Sequence, residues 1–146
     1  MKGFEFKLQK LLDIRISDEQ DIKVKYAKVQ SEENIVKNKL ENLKSSYTKF
    51  CDINNCESIL EQKIRANYLS AVLTSIDETS NELYKKQEEV NLVRERLINK
   101  QVERKSLEKI KDNKFNSYKK EIDIKEQARN DEYAIYSYYR NKSQIA

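Results

Sequence analysis

The sequence predicts an all-α fold, a long antiparallel two-helix coiled-coil hairpin with a short helical tip segment. Three observations predict it. The 146 residues include one Gly and no Pro, Trp or His, while charged residues reach 37% and hydrophobic ones only 38%. Apolar residues recur every seven positions over the first fifty. A polar stretch at 51–58 then separates this run from a second, similar one. Sheets need many tight turns, and turns draw on Gly and Pro for their backbone angles, so a sheet protein is excluded. A chain this polar fits either disorder or long helices with a narrow apolar seam. Its net charge of +4 gives little self-repulsion, and the period decides for helices.

The first arm is residues 3–50. One seam series reads Leu8, Arg15, Ile22, Val29, Val36, Leu43, Phe50, and its partner reads Leu12, Glu19, Tyr26, Glu33, Leu40, Tyr47. Ten of these thirteen positions are apolar or aromatic, with spacings alternating between four and three. A period of 3.5 held this long signals a left-handed coiled coil. Glu19/Lys23, Asp21/Lys25 and Glu33/Lys37 add acid-to-base pairs four apart on the flanks, each supplying about 0.2–0.5 kcal/mol. At 1.5 Å per residue this arm would be about 70 Å long.

The tip is residues 51–81. Asp52, Asn54, Asn55 and Ser58 are turn and cap formers, and Ser58-Ile-Leu-Glu61 has the capping-box pattern for a new helix carrying Leu60, Ile64, Tyr68, Val72 and Ile76. Asp77–Asn81 offers a weaker break, with Thr79 and Ser80 as caps. The second arm is residues 82–140, with Leu83, Val90, Val93, Leu97, Arg104, Leu107, Phe115, Tyr118 and Ile122 as a looser seam. Polar seam positions at 100–111 predict a stutter there. An amphipathic helix cannot bury its stripe alone, and the matched arms favour a hairpin over a parallel dimer. Facing residues should then have numbers summing to about 140, with Leu43 near Leu97 and Leu8 near Tyr133. The 146 residues form one unit on length alone.

Charge is uneven. Residues 1–50 carry a net +3, residues 51–90 a net −4 and residues 91–146 a net +5. The densest basic block, Lys100–Lys120, holds Lys100, Arg104, Lys105, Lys109, Lys111, Lys114, Lys119 and Lys120 against three acids. It is either a solvated helix face or a surface for an acidic protein partner. Interspersed acids and the lack of a recognisable binding module argue against nucleic acid.

Enzyme chemistry finds no footing. Without His there is no Ser-His or Cys-His nucleophile pair and no His-ligated metal. Cys51 and Cys56 are five apart, matching neither a CxxC redox motif nor half of a zinc site, and they are expected as free thiols. A Gly-rich phosphate loop is missing. The expectation is a protein without catalysis, cofactor or metal. No run of about 18 apolar residues exists for a transmembrane helix, and no signal peptide is apparent at the N-terminus, which predicts a cytoplasmic chain.

Aromatic residues mark two more places. Tyr133 and Tyr136 fit the seam, whereas Tyr138 and Tyr139 cannot both face one side, so at least one is expected to be exposed as a binding anchor. Tyr47, Phe50 and Tyr68 at the tip are open to the same two roles, packing or binding.

Three motifs in order carry a family resemblance. The opening Phe4-Glu-Phe-Lys-Leu8-Gln9-Lys10-Leu11-Leu12-Asp13-Ile14-Arg15, the block Glu103-Arg104-Lys105-Ser106-Leu107-Glu108-Lys109-Ile110, and Glu126-Gln127 followed by Asp131-Glu132-Tyr133-Ala134 resemble the FliJ family of bacterial flagellar export proteins. The resemblance implies an antiparallel coiled coil similar to the central stalk of rotary ATPases. It implies three partners: the hexameric flagellar export ATPase, the cytoplasmic part of the membrane export gate, and empty export chaperones. It also implies a peripheral location at the inner face of the membrane. The family's gate-contacting face falls nearest to Leu43, Tyr47, Phe50 and Tyr68, while Ala71 and Ser75 stand where the family has further apolar contacts. Charge then assigns Lys100, Arg104, Lys105, Lys109 and Lys111, with Tyr138 and Tyr139, to the ATPase side. An export chaperone escort and a generic coiled-coil scaffold of a related type III secretion system are the rival expectations.

Overall fold

The computed structural model describes residues 3–52 and 58–145. They form two helices, α1 (Gln9–Asp52) and α2 (Ile59–Ile145), packed against each other as a helical hairpin, with no strand among the described residues. Good helix formers and the lack of Pro let both helices run long. α2 starts where the capping box predicts. The Leu60 N–H donates to Ser58 Oγ at 3.3 Å, the Gln62 N–H donates to the Ser58 carbonyl at 3.1 Å, and Glu61 sits in the first turn. At the other junction, Arg65 Nη2 donates to the carbonyls of Phe50 and Cys51, the latter at 2.8 Å. Those last-turn oxygens of α1 have no partner within their own helix, and a cation suits their negative dipole end.

The chain packs as two compact units. A central unit comprises Ser17–Gln101, and a terminal unit comprises Met1–Ile16 with Val102–Ala146. In the central unit the helices run antiparallel. Asp18 pairs with Lys100, Tyr26 with Arg94, Glu32 with Lys86, and Phe50 with Tyr68. These numbers sum to 118–120, not 140, so Leu43 lies level with Ile76 instead of Leu97. The physical reason is that α2 begins at Ile59 and passes unbroken through 77–81. Thr79 there is 3% exposed: it faces the seam instead of capping a new helix. The expected tip segment is therefore the first turns of α2.

The seam itself is as the sequence spaces it. Of the thirteen α1 positions, only Leu8 and Phe50 are exposed. On α2 two series, Leu69-Ile76-Leu83-Val90-Leu97-Arg104-Lys111-Tyr118 and Val72-Thr79-Lys86-Val93-Lys100-Leu107, are buried or half-buried throughout. The stutter expected at 100–111 does not occur. Lys100, Arg104 and Lys111 occupy seam positions, where long alkyl stems cover apolar surface while the charged heads reach polar partners.

The terminal unit differs from expectation at both chain ends. Residues 3–6 are not helical, and the first helix starts at Gln9 instead of residue 3. The Phe4 ring meets Phe115 at 5.3 Å, edge to face, and Tyr118 at 5.6 Å, while Phe6 is 6% exposed with Lys114 Nζ 5.9 Å from its ring centre. Residues two apart share a side only in extended chain; in a helix they diverge by about 200°. Burying both rings on α2 therefore requires a strap, and the Gln9 N–H closes it on the Phe6 carbonyl at 3.0 Å. Further contacts join Arg15 to Glu103 at 2.8 Å and Lys111 Nζ to Gln9 Oε1 at 2.8 Å. With Phe4 level with Phe115, nothing of α1 is left to cover the end of α2. Every residue from 123 to 143 is exposed, Tyr133 and Tyr136 included. These two do not fill a seam, and Leu8 is nowhere level with Tyr133.

Candidate functional site

The basic block is not one uniform surface. Lys100 Nζ lies 3.8 Å from Asp18 Oδ2 in the central unit. In the terminal unit, Arg104 Nη1 is held by both carboxylate oxygens of Glu108 at 2.7 Å, one turn on, and Lys111 is held by Gln9. These three cations are half-buried and committed to the hairpin. Lys105 and Lys109 point outward and are exposed. Spacing explains the division, since 100, 104 and 111 fall on the seam series while 105 and 109 fall off it.

The overhang of α2 carries the largest exposed aromatic group. Tyr133, Tyr136, Tyr138 and Tyr139 are 64–71% exposed, and Tyr138 meets Tyr139 edge to face at 6.0 Å. At 100° per residue these four and Ile135 cover more than half the helix circumference. A helix apolar on several sides is suited to being surrounded, not to lying on one flat face. Both tyrosines expected as anchors are therefore available.

The central unit presents a second apolar surface where α1 passes into α2. Phe50 and Tyr68 pack ring against ring at 4.4 Å, each still 40% exposed. Leu43 and Tyr47 are half-buried in the seam beneath. The Cys51 thiol, one turn after Tyr47, is free, and its hydrogen bond and charge keep the Tyr47 hydroxyl protonated above the usual phenol range. Cys56 lies outside the described residues. Leu60 and Ile64 are 66% and 61% exposed and do not pack as the tip seam predicts, and Ile59 beside them is 75% exposed. Leu60, Ile64 and Tyr68 follow at intervals of four, extending the Phe50–Tyr68 contact into an apolar stripe on α2.

A fold of two paired helices with clusters of exposed aromatics is common to many coiled coils. The family described as Flagellar FliJ protein, however, matches residues 4–143, nearly the whole chain. The chain belongs to the FliJ family. It is thereby a component of the flagellar protein export apparatus. No curated protein and no solved structure gives a significant match. No helix among the described residues is long and apolar enough to cross a membrane.

Sequence reasoning missed several residues that shape these surfaces in the FliJ-family chain. Arg65, which ties α2 to the last turn of α1, carries no signal beyond being one of two cations, with Lys63, near a helix start. Phe4 and Phe6 do carry one, because apolar residues two apart beside a Gly favour extended chain. The juxtaposition of Lys7 and Lys10 with the α2 lysines follows from that strap and from nothing local.

Proposed function

We propose that this chain is the central-stalk-like coiled coil of the export apparatus, binding the hexameric export ATPase and linking it to the membrane export gate. The observation that carries this reading is the overhang. A stretch of about 20 residues, roughly 30 Å of helix, leaves the hairpin with its tyrosines uncovered on several sides. A ring of subunits closing around it would bury them, and Tyr is among the residues that dominate interface energetics. Lys105 and Lys109 supply exposed positive charge on the same unit for an acidic ring surface. Phe50, Tyr68 and the stripe through Ile64 and Leu60, with Leu43 and Tyr47 beneath, would meet the gate. The chain acts without catalysis of its own, in the cytoplasm and peripherally at the inner membrane face. Empty export chaperones are a further partner on this reading.

Turnover of the cognate ATPase tests it. The full chain should raise turnover saturably, because a stalk changes the ring it enters, whereas an escort that only holds export substrates need not. Reversing Lys105 and Lys109 to Glu should weaken binding and stimulation without loss of helicity. Reversing Arg104 as well would also break its pair with Glu108, so it is the less clean variant. Phe50→Ala with Tyr68→Ala should reduce gate binding and leave ATPase stimulation intact. Unchanged turnover with saturating chain would leave the escort reading in its place.

A further inference from the structure

We propose that the N-terminal strap forms part of the surface that receives the ATPase, and that the matching element of the ATPase is an acidic segment bearing an apolar side chain; this rests on the stalk reading above. The fold brings together lysines about a hundred positions apart in sequence. Lys7, Lys10 and Lys111 line one groove with Phe4 and Phe6, and Lys7 and Lys114 line a second that shares Phe4 with the first. Lys111 is held against the strap by its 2.8 Å bond to Gln9, and Lys114, itself exposed, lies with its Nζ 5.9 Å from the Phe6 ring centre. Lys7 and Lys10 are exposed. Glu5 and Glu121 also line these grooves, leaving four cations against two acids. Phe4 and Phe6 line the first groove and Phe4 and Tyr118 the second, with Phe115 48% exposed beside Phe4, so the cations border apolar rings. An apolar anchor inside a polar, charged rim is the usual anatomy of a specific interface. The sign of the rim selects an acidic partner and speeds encounter.

The test compares two double reversals in the full chain, Lys7→Glu with Lys10→Glu and Lys105→Glu with Lys109→Glu, by affinity for the cognate ATPase near physiological salt. Both pairs are exposed, so circular dichroism should match the unsubstituted chain. The strap reversal is expected to weaken binding by about tenfold, Lys7→Gln with Lys10→Gln by less, and Lys7→Arg with Lys10→Arg to restore it. If the strap reversal binds like the unsubstituted chain while the Lys105/Lys109 reversal binds weakly, the strap is no part of the surface and the inference falls alone. If the unsubstituted chain does not bind the ATPase at all, the stalk reading falls and takes the inference with it.

Discussion

Lys86 Nζ sits between two carboxylates, 2.7 Å from Glu32 Oε2 across the hairpin and 3.2 Å from Glu89 Oε2 on its own helix. The cross-helix bond joins a seam position of α2 to the flank of α1. Its hydrogen bond, then its charge, lowers the Glu32 pKa, and the bonds to Glu32 and then Glu89 raise that of Lys86. A lowered carboxyl pKa adds stability above the unfolded value, lost as pH falls through the folded one. A raised amine pKa adds stability below its unfolded value, lost as pH rises through the folded one. The pair therefore supports the hairpin between the glutamate range near 4.3 and the lysine range near 10.4. Melting temperature measured against pH should decline at both edges, and Glu32→Gln should remove this pair's share of the decline at the acid edge. An acid limb unaltered by Glu32→Gln would show the contact to be silent.

Glu19 gives a second prediction. It fills a seam position at 2% exposure, with Lys23 Nζ 2.8 Å from its Oε1. Lys23 itself is about half exposed, so the pair is buried on the carboxylate side only, and replacing such a buried charge with packed apolar atoms is often neutral or stabilising, by up to about 1–4 kcal/mol. Glu19→Leu should therefore leave the melting temperature equal or higher. A drop would mean that the acid supports the fold more than a leucine could.

The junction of the helices supplies a third. Ser58→Ala removes the acceptor for the Leu60 N–H and should cost about 1 kcal/mol. Arg65→Gln removes the cation from the last carbonyls of α1 and should cost about 0.5–1 kcal/mol. Chemical denaturation resolves both losses. Because Arg65 also bonds the Phe50 carbonyl, its loss should loosen the Phe50–Tyr68 contact and, on the stalk proposal, lower gate binding, which Ser58→Ala should not do.

Much of this fold is legible in the residues themselves. The seven-residue beat names the α1 seam, and Ser58-x-x-Glu61 names the start of α2, because both depend on neighbours within a few turns. Register is different. It depends on where the second arm truly begins, and Asp77–Asn81 resembles a break although Thr79 buries against α1 and the helix continues. Starting the second arm at 82 instead of 59 shifts every facing pair by about twenty residues. That one error hides the overhang, since Tyr133 then seems to lie opposite Leu8. The lysines of the strap surface are likewise invisible along the chain, because only the fold of Phe4 and Phe6 onto Phe115 and Tyr118 brings them together. The tyrosines of the α2 end, Phe50, Tyr68 and the basic block could be named from the sequence, but which of them are exposed could not.

On the stalk proposal the uncovered end of α2 engages the export ATPase, while the rest of the chain folds without it. Ending the chain after Ile122 tests this most directly, with melting temperature and ATPase stimulation read on the same sample. The melting temperature should stay unchanged, because every residue from 123 to 143 is exposed, and most of the stimulation should be lost. A shortened chain that stimulates the ATPase as strongly as the full one would contradict it.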